Sequence, residues 1–142
     1  MEYAELLNSC GESMLELRNY DAAREVFKIA HAQVVSAHGI SDASVASVEA
    51  NQAKLLSETG EMERARDLFE RSHATSQSAR DASLKANEEL SKLVMNQALH
   101  ARVLKLYAEF LRRQGGAEAE AEAAGMEKEV KELEGSYGFI TQ

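Results

Sequence analysis

Cysteine and histidine are the side chains best suited to nucleophilic or metal chemistry, and this chain has one cysteine and four histidines. A single thiol, Cys10, excludes an intrachain disulfide and a thiolate zinc site. It falls on the apolar stripe of segment 3–17 and reads as a small core residue rather than a nucleophile. His31 and His38 are seven residues apart, two helical turns or about 10.5 Å, too far to share one metal. No histidine lies three or four residues from another, and no glycine-rich phosphate loop, His-Glu-x-x-His or Gly-x-Ser-x-Gly motif occurs. Glutamate pairs are plentiful, but on an acidic helical surface they read as solvation rather than acid–base pairs. The residue types and spacings predict no enzyme, no metal site and no cofactor.

Composition sets the frame for those residues. The 142 residues suit one domain, and 44% hydrophobic content is enough to bury a core. There is no proline, where average usage of about 5% would give roughly seven. A β-sandwich or an α/β fold usually needs rigid turns, whereas a helical bundle manages with glycine and polar caps, so an all-α fold is favoured. No run of about 18 apolar residues exists, so no membrane span is expected. The opening residues lack the basic-then-apolar order of a secretory signal, which makes a cytoplasmic location the default. A net charge of -8 argues against nucleic acid, whose phosphates require a basic surface. The charge is uneven: residues 84–114 carry six basic and three acidic side chains between acidic flanks. Complementarity within the fold is the leading account of that segment, ahead of a site for an acidic partner. A membrane-surface helix at 84–114 is disfavoured because Glu88, Glu89 and Glu109 interrupt its positive charge.

Apolar periodicity divides the chain into helices. Ala4, Leu7, Cys10, Gly11, Met14 and Leu17 make a first stripe, broken at Arg18 and Asn19, with Asn19 suited to the left-handed conformation of a tight turn. Tyr20, Ala23, Phe27, Ala30 and Val34 continue to a stop at Gly39. Ser41 or Asp42 caps a third helix that ends at Gly60, and a fourth starts at Met62. Serine and threonine compete for backbone hydrogen bonds, which places the next turn within residues 75–83. Residues 84–114 follow as one long helix or two. Ala119, Ala123, Met126, Val130 and Leu133 then predict a capping helix that stops at Gly135 and Ser136, leaving a tail over 135–142.

An internal repeat decides the architecture. Gly11, Met14, Leu17, Tyr20, Ala23, Phe27 and Ala30 recur 42 residues later as Ala53, Leu56, Thr59, Met62, Ala65, Phe69 and Ser72. Small residues permit close approach of the two helices of a hairpin, and Phe27 and Phe69 fill the space between successive hairpins. This pattern resembles the tetratricopeptide repeat, a helix-turn-helix unit with small, large and aromatic positions in fixed order. Its matches are Leu7, Gly11, Met14, Tyr20, Ala23, Phe27 and Ala30, then Asn51, Ala53, Leu56, Gly60, Met62, Ala65 and Phe69. The 42-residue spacing resembles the longer variety found in kinesin light chains. A degenerate third copy is suggested around residues 106–115, with Gly115 lying 55 rather than 42 residues after Gly60. The family's usual proline and the aromatic near the start of the first helix are missing. Repeat 1 then spans 1–39, repeat 2 spans 40–83, and repeat 3 with the capping helix spans 84–134.

The resemblance implies a short α-solenoid of antiparallel hairpins whose first helices line a concave, partner-binding groove. By analogy with the family, the groove-facing positions are Glu5, Asn8, Glu12 and Glu16 in the first unit. Ser47, Ala50, Lys54 and Glu58 occupy them in the second, and Arg102, Lys105, Glu109 and Arg112 in the third. The groove would run from acidic to basic and hold a protein or peptide of complementary polarity. Glu12 and Lys54 stand where chaperone-binding members clamp a terminal carboxylate, and the first unit offers three carboxylates. The resemblance therefore implies no binding of acidic chaperone tails. The function expected is an adaptor or scaffold. A structural subunit or assembly factor, with the groove filled by its own C-terminal helix, is the alternative.

Overall fold

The computed structural model describes residues 3–86 and 88–141, with side chains described as far as residue 135. Helices form α1 (Tyr3–Glu16), α2 (Tyr20–His38), α3 (Ala43–Glu58), α4 (Met62–Lys85), α5 (Leu90–Gln114) and α6 (Ala117–Thr141). No strand occurs among the described residues. Consecutive helices pack in pairs, so the architecture is a short helical-hairpin solenoid. Helices α1, α3 and α5 lie side by side, while α2 packs against α3 and α4 against α5.

The repeat is visible hydrogen bond by hydrogen bond. Asn19 N–H donates to the Met14 carbonyl at 2.8 Å, and 42 residues later Glu61 N–H donates to the Leu56 carbonyl at 2.8 Å. Leu17 and Arg18 donate to Ser13 and Leu15, as Thr59 and Gly60 do to Leu55 and Ser57. The left-handed residue of this turn is Arg18, φ 60°, at the position of Gly60, φ 91°. Asn19, expected to take that role, instead caps α2 by accepting from the Ala22 N–H at 3.4 Å. Asp42 caps α3 by accepting from the Ser44 N–H at 2.8 Å.

The aromatic positions join neighbouring hairpins. Phe27 is fully buried with Leu15, Ala23 and Leu55 of the next hairpin. Gly11 makes room for it: a Cβ there would sit 2.4 Å from Phe27 Cε1. Phe69 stacks on Tyr107 of α5, rings 5.3 Å apart and 6° from parallel, and also meets Phe110. Rings this large dominate core energetics, at about 1.5–3 kcal/mol each for burial alone.

Four local expectations are corrected. The buried face of α1 is Ala4, Asn8, Gly11 and Leu15, leaving Cys10 exposed and Leu17 80% exposed. Phe27 seats on Gly11, and that contact rotates the helix away from the stripe of apolar letters. Helix α4 does not turn within 75–83 but runs to Lys85. Its serines face the next hairpin, where small size matters more than helix propensity. Ser72 and Ser76 are fully buried and donate to the Phe69 and His73 carbonyls one turn back, while Ser83 accepts from Asn96 at 2.5 Å. The third hairpin accordingly starts at Leu90 rather than 84, and 84–114 is the end of one helix and the whole of a single second one. Lastly, α6 continues past Gly135 and Ser136 to Thr141; the docking of the tail's side chains lies outside the described residues.

The extra spacing between the second and third hairpin turns is helix, not loop. Helix α4 has 24 residues against 19 in α2, and α5 has 25 against 16 in α3. The cap helix docks as its periodicity predicts, with Ala123, Val130 and Leu133 buried.

Candidate functional site

Helix α3 is the floor of a groove with α1 and α5 as its walls. At one end Glu5, Asn8, Ser47, Leu99 and Arg102 line a cavity of about 220 Å³. At the other, Glu16, Arg18, Tyr20, Lys54, Glu58 and Arg113 line one of about 460 Å³. A polar bridge separates the two. Asn51 on the floor donates at 2.9 Å to both Asn8 Oδ1 and Glu12 Oε1, and Arg102 crosses from α5 to pair with Glu12. Burial pushes the Arg102 guanidinium below the ordinary arginine value, so the pair stands in a partly dehydrated setting. Ser47 is 3% exposed, and its hydroxyl has no partner among the described residues.

Of the residues placed in the groove from sequence, Glu5, Asn8, Glu12, Glu16, Ser47, Lys54, Glu58 and Arg102 surround these cavities or their bridge. Ala50 is fully buried beneath them. Arg112 does not belong there: it reaches back to Glu120 and Glu127 of α6, the latter by two hydrogen bonds of 2.8 Å. Arg112 holds the Glu127 carboxyl below the usual carboxylate range. Lys105 pairs with Glu134 of α6 and lines a separate cleft between α5 and α6. Glu109 is exposed. The expected gradient from acidic to basic is thus largely consumed inside the molecule, with Arg113 also 3.9 Å from Glu58. Basic α5 is held by acidic side chains of α1, α3 and α6. Among the described residues α6 makes no close backbone approach to α1 or α3, so the C-terminal helix does not fill the groove.

A second polar group was missed by spacing within helices. His73 of α4, His100 of α5 and Glu129 of α6 bring donor atoms within 4.8 Å of one another. His100 is fully buried, its Nδ1 2.7 Å from Ser76 Oγ and its Nε2 3.2 Å from Glu129 Oε1. Burial first of all lowers the His100 pKa, against the opposing pull of Glu129. The connectivity Ser76–His100–Glu129 has the order of a nucleophile, base and carboxylate, but Ser76 is fully buried and no substrate carbonyl can reach it. The signal in the sequence is the 27-residue separation of two histidines on adjacent antiparallel helices, readable only once the α4–α5 turn is placed.

Among the described residues no helix is long and apolar enough to cross a membrane. Comparison of the chain with protein-family models, curated proteins and solved structures finds no match.

Proposed function

We propose that this chain is a non-enzymatic interaction module, a tetratricopeptide-like adaptor that holds an extended peptide or helix across α1, α3 and α5. The observation that carries the reading is the unpartnered Ser47 hydroxyl, nearly buried on the floor of a cavity between an acidic and a basic wall. A segment laid there would offer a backbone or side-chain hydrogen bond to Ser47. Its basic groups would meet Glu5 and Glu16, and its acidic groups Arg113 and Lys54. The turn geometry repeated at 42 residues supports the kinship with tetratricopeptide hairpins. With carboxylates on α1, acidic chaperone tails are not the ligand class. The rival role as a subunit of a larger complex would use the outer faces of α2, α4 and α6.

Selection of a displayed peptide library on the wild-type chain tests the proposal, with Ser47→Leu, which fills the smaller cavity, as the counter-target. Peptides retained by wild type and rejected by a folded Ser47→Leu support the groove. Peptides retained equally by both contradict it.

A further inference from the structure

Three helices converge on His73, His100 and Glu129, and the arrangement has more than the donor types in its favour. Two ligands of a tetrahedral ion at bond lengths of about 2.0–2.2 Å lie roughly 3.3 Å apart. His100 Nε2 and Glu129 Oε1 already stand at 3.2 Å. His73 is half-buried, its ring centroid lies 5.7 Å from that of His100, and its ring offers a nitrogen within 4.8 Å of the His100 and Glu129 donor atoms.

Ser76 supplies the remaining requirement, a partner for the other ring nitrogen of the buried histidine. With a proton on His100 Nε2 directed at Glu129, Nδ1 accepts from the Ser76 hydroxyl. With the proton on Nδ1, that N–H donates to Ser76 Oγ, whose own hydrogen goes to the His73 carbonyl at 3.2 Å. Nδ1 is satisfied in either tautomer, but the second leaves the Nε2 lone pair facing the Glu129 carboxylate. A cation is what belongs between two such acceptors.

We infer that His73, His100 and Glu129 form a binding site for a divalent transition-metal ion of the zinc type, with Ser76 as the positioning residue that sets the His100 tautomer. Two imidazoles and one carboxylate suit an ion of borderline softness and leave a fourth position for water. Glu129 also lines a cavity of about 420 Å³ with Arg80, Gln97, Lys128 and Glu132, which opens the Glu129 side of the site to solvent. Bound there, the ion would tie the cap helix α6 to α4 and α5. The inference is independent of the groove.

The test is calorimetric titration of the metal-free full-length chain with Zn²⁺, together with the visible spectrum on adding Co²⁺. One ion per chain and the d–d bands of a tetrahedral Co²⁺ site are expected. His73→Gln and Glu129→Gln change partly exposed side chains and spare the core position of His100, and each should weaken affinity at least about tenfold. Ser76→Ala should weaken it by about 10–100-fold. His31→Gln and His38→Gln should leave it unchanged. No saturable binding up to millimolar Zn²⁺, or an affinity unaltered in either His73→Gln or Glu129→Gln, overturns the site.

Discussion

Two glycines in helix interiors have opposite reasons for being there. Gly11 is required by contact, because a methyl group would press on Phe27. Gly11→Ala is expected to destabilise the chain by about 1–3 kcal/mol, the usual cost of overpacking. Gly125 on α6 has nothing within 4 Å of a built Cβ, so Gly125→Ala should stabilise by about 0.5–1 kcal/mol through helix propensity. Chemical denaturation of both variants checks the pair; equal effects would mean that Phe27 does not seat on Gly11. The residue scale is also where reading letters failed most often. Cys10 and Leu17 look like core by type, but Gly11 is what determines which face of α1 turns inward, and a glycine adds nothing to an apolar stripe.

Elements were legible where the 3.6-residue pattern and a cap agreed, as at Asp42 and along the buried face of α6. They were illegible where polar residues were buried. The serines of α4 read as a turn from propensity alone, yet they bond to their own helix and let α5 approach. If α4 is continuous, Ser78→Pro, at an exposed position, should cost about 3 kcal/mol or more, whereas a turn there would tolerate it. Thermal or urea unfolding distinguishes the two. The docking of α6 carries two further expectations. Leu133 is 4% exposed against Ala101 and Leu104, so Leu133→Ala should cost about 2–5 kcal/mol by denaturant titration. Glu127 has its pKa depressed by Arg112, so its contribution is present above the ordinary carboxylate pKa and lost as pH falls through the lower folded value. Glu127→Gln should flatten that acid limb of a stability-versus-pH profile, and an unchanged limb would count against the pairing.

At the scale of the molecule, the missing prolines and the 42-residue repeat sufficed to predict a helical-hairpin solenoid, and a groove floored by α3 follows from that stacking. Charge was read correctly in its distribution and only partly in its use. The basic α5 answers carboxylates of its own neighbours, because hairpin stacking places Arg102 over Glu12 and pairing within the third hairpin places Arg112 against α6. The Ser76–His100–Glu129 network was beyond sequence spacing, since its members come from three helices whose register depends on where α4 ends. The central claim is that the α1–α3–α5 groove is where this chain meets its partner. Amide chemical-shift mapping on the full chain with a selected peptide tests it most directly. The account predicts perturbations clustered at Glu5, Asn8, Ser47, Leu99 and Arg102, lost in Ser47→Leu. Perturbations confined to the outer faces of α2, α4 and α6 would contradict it.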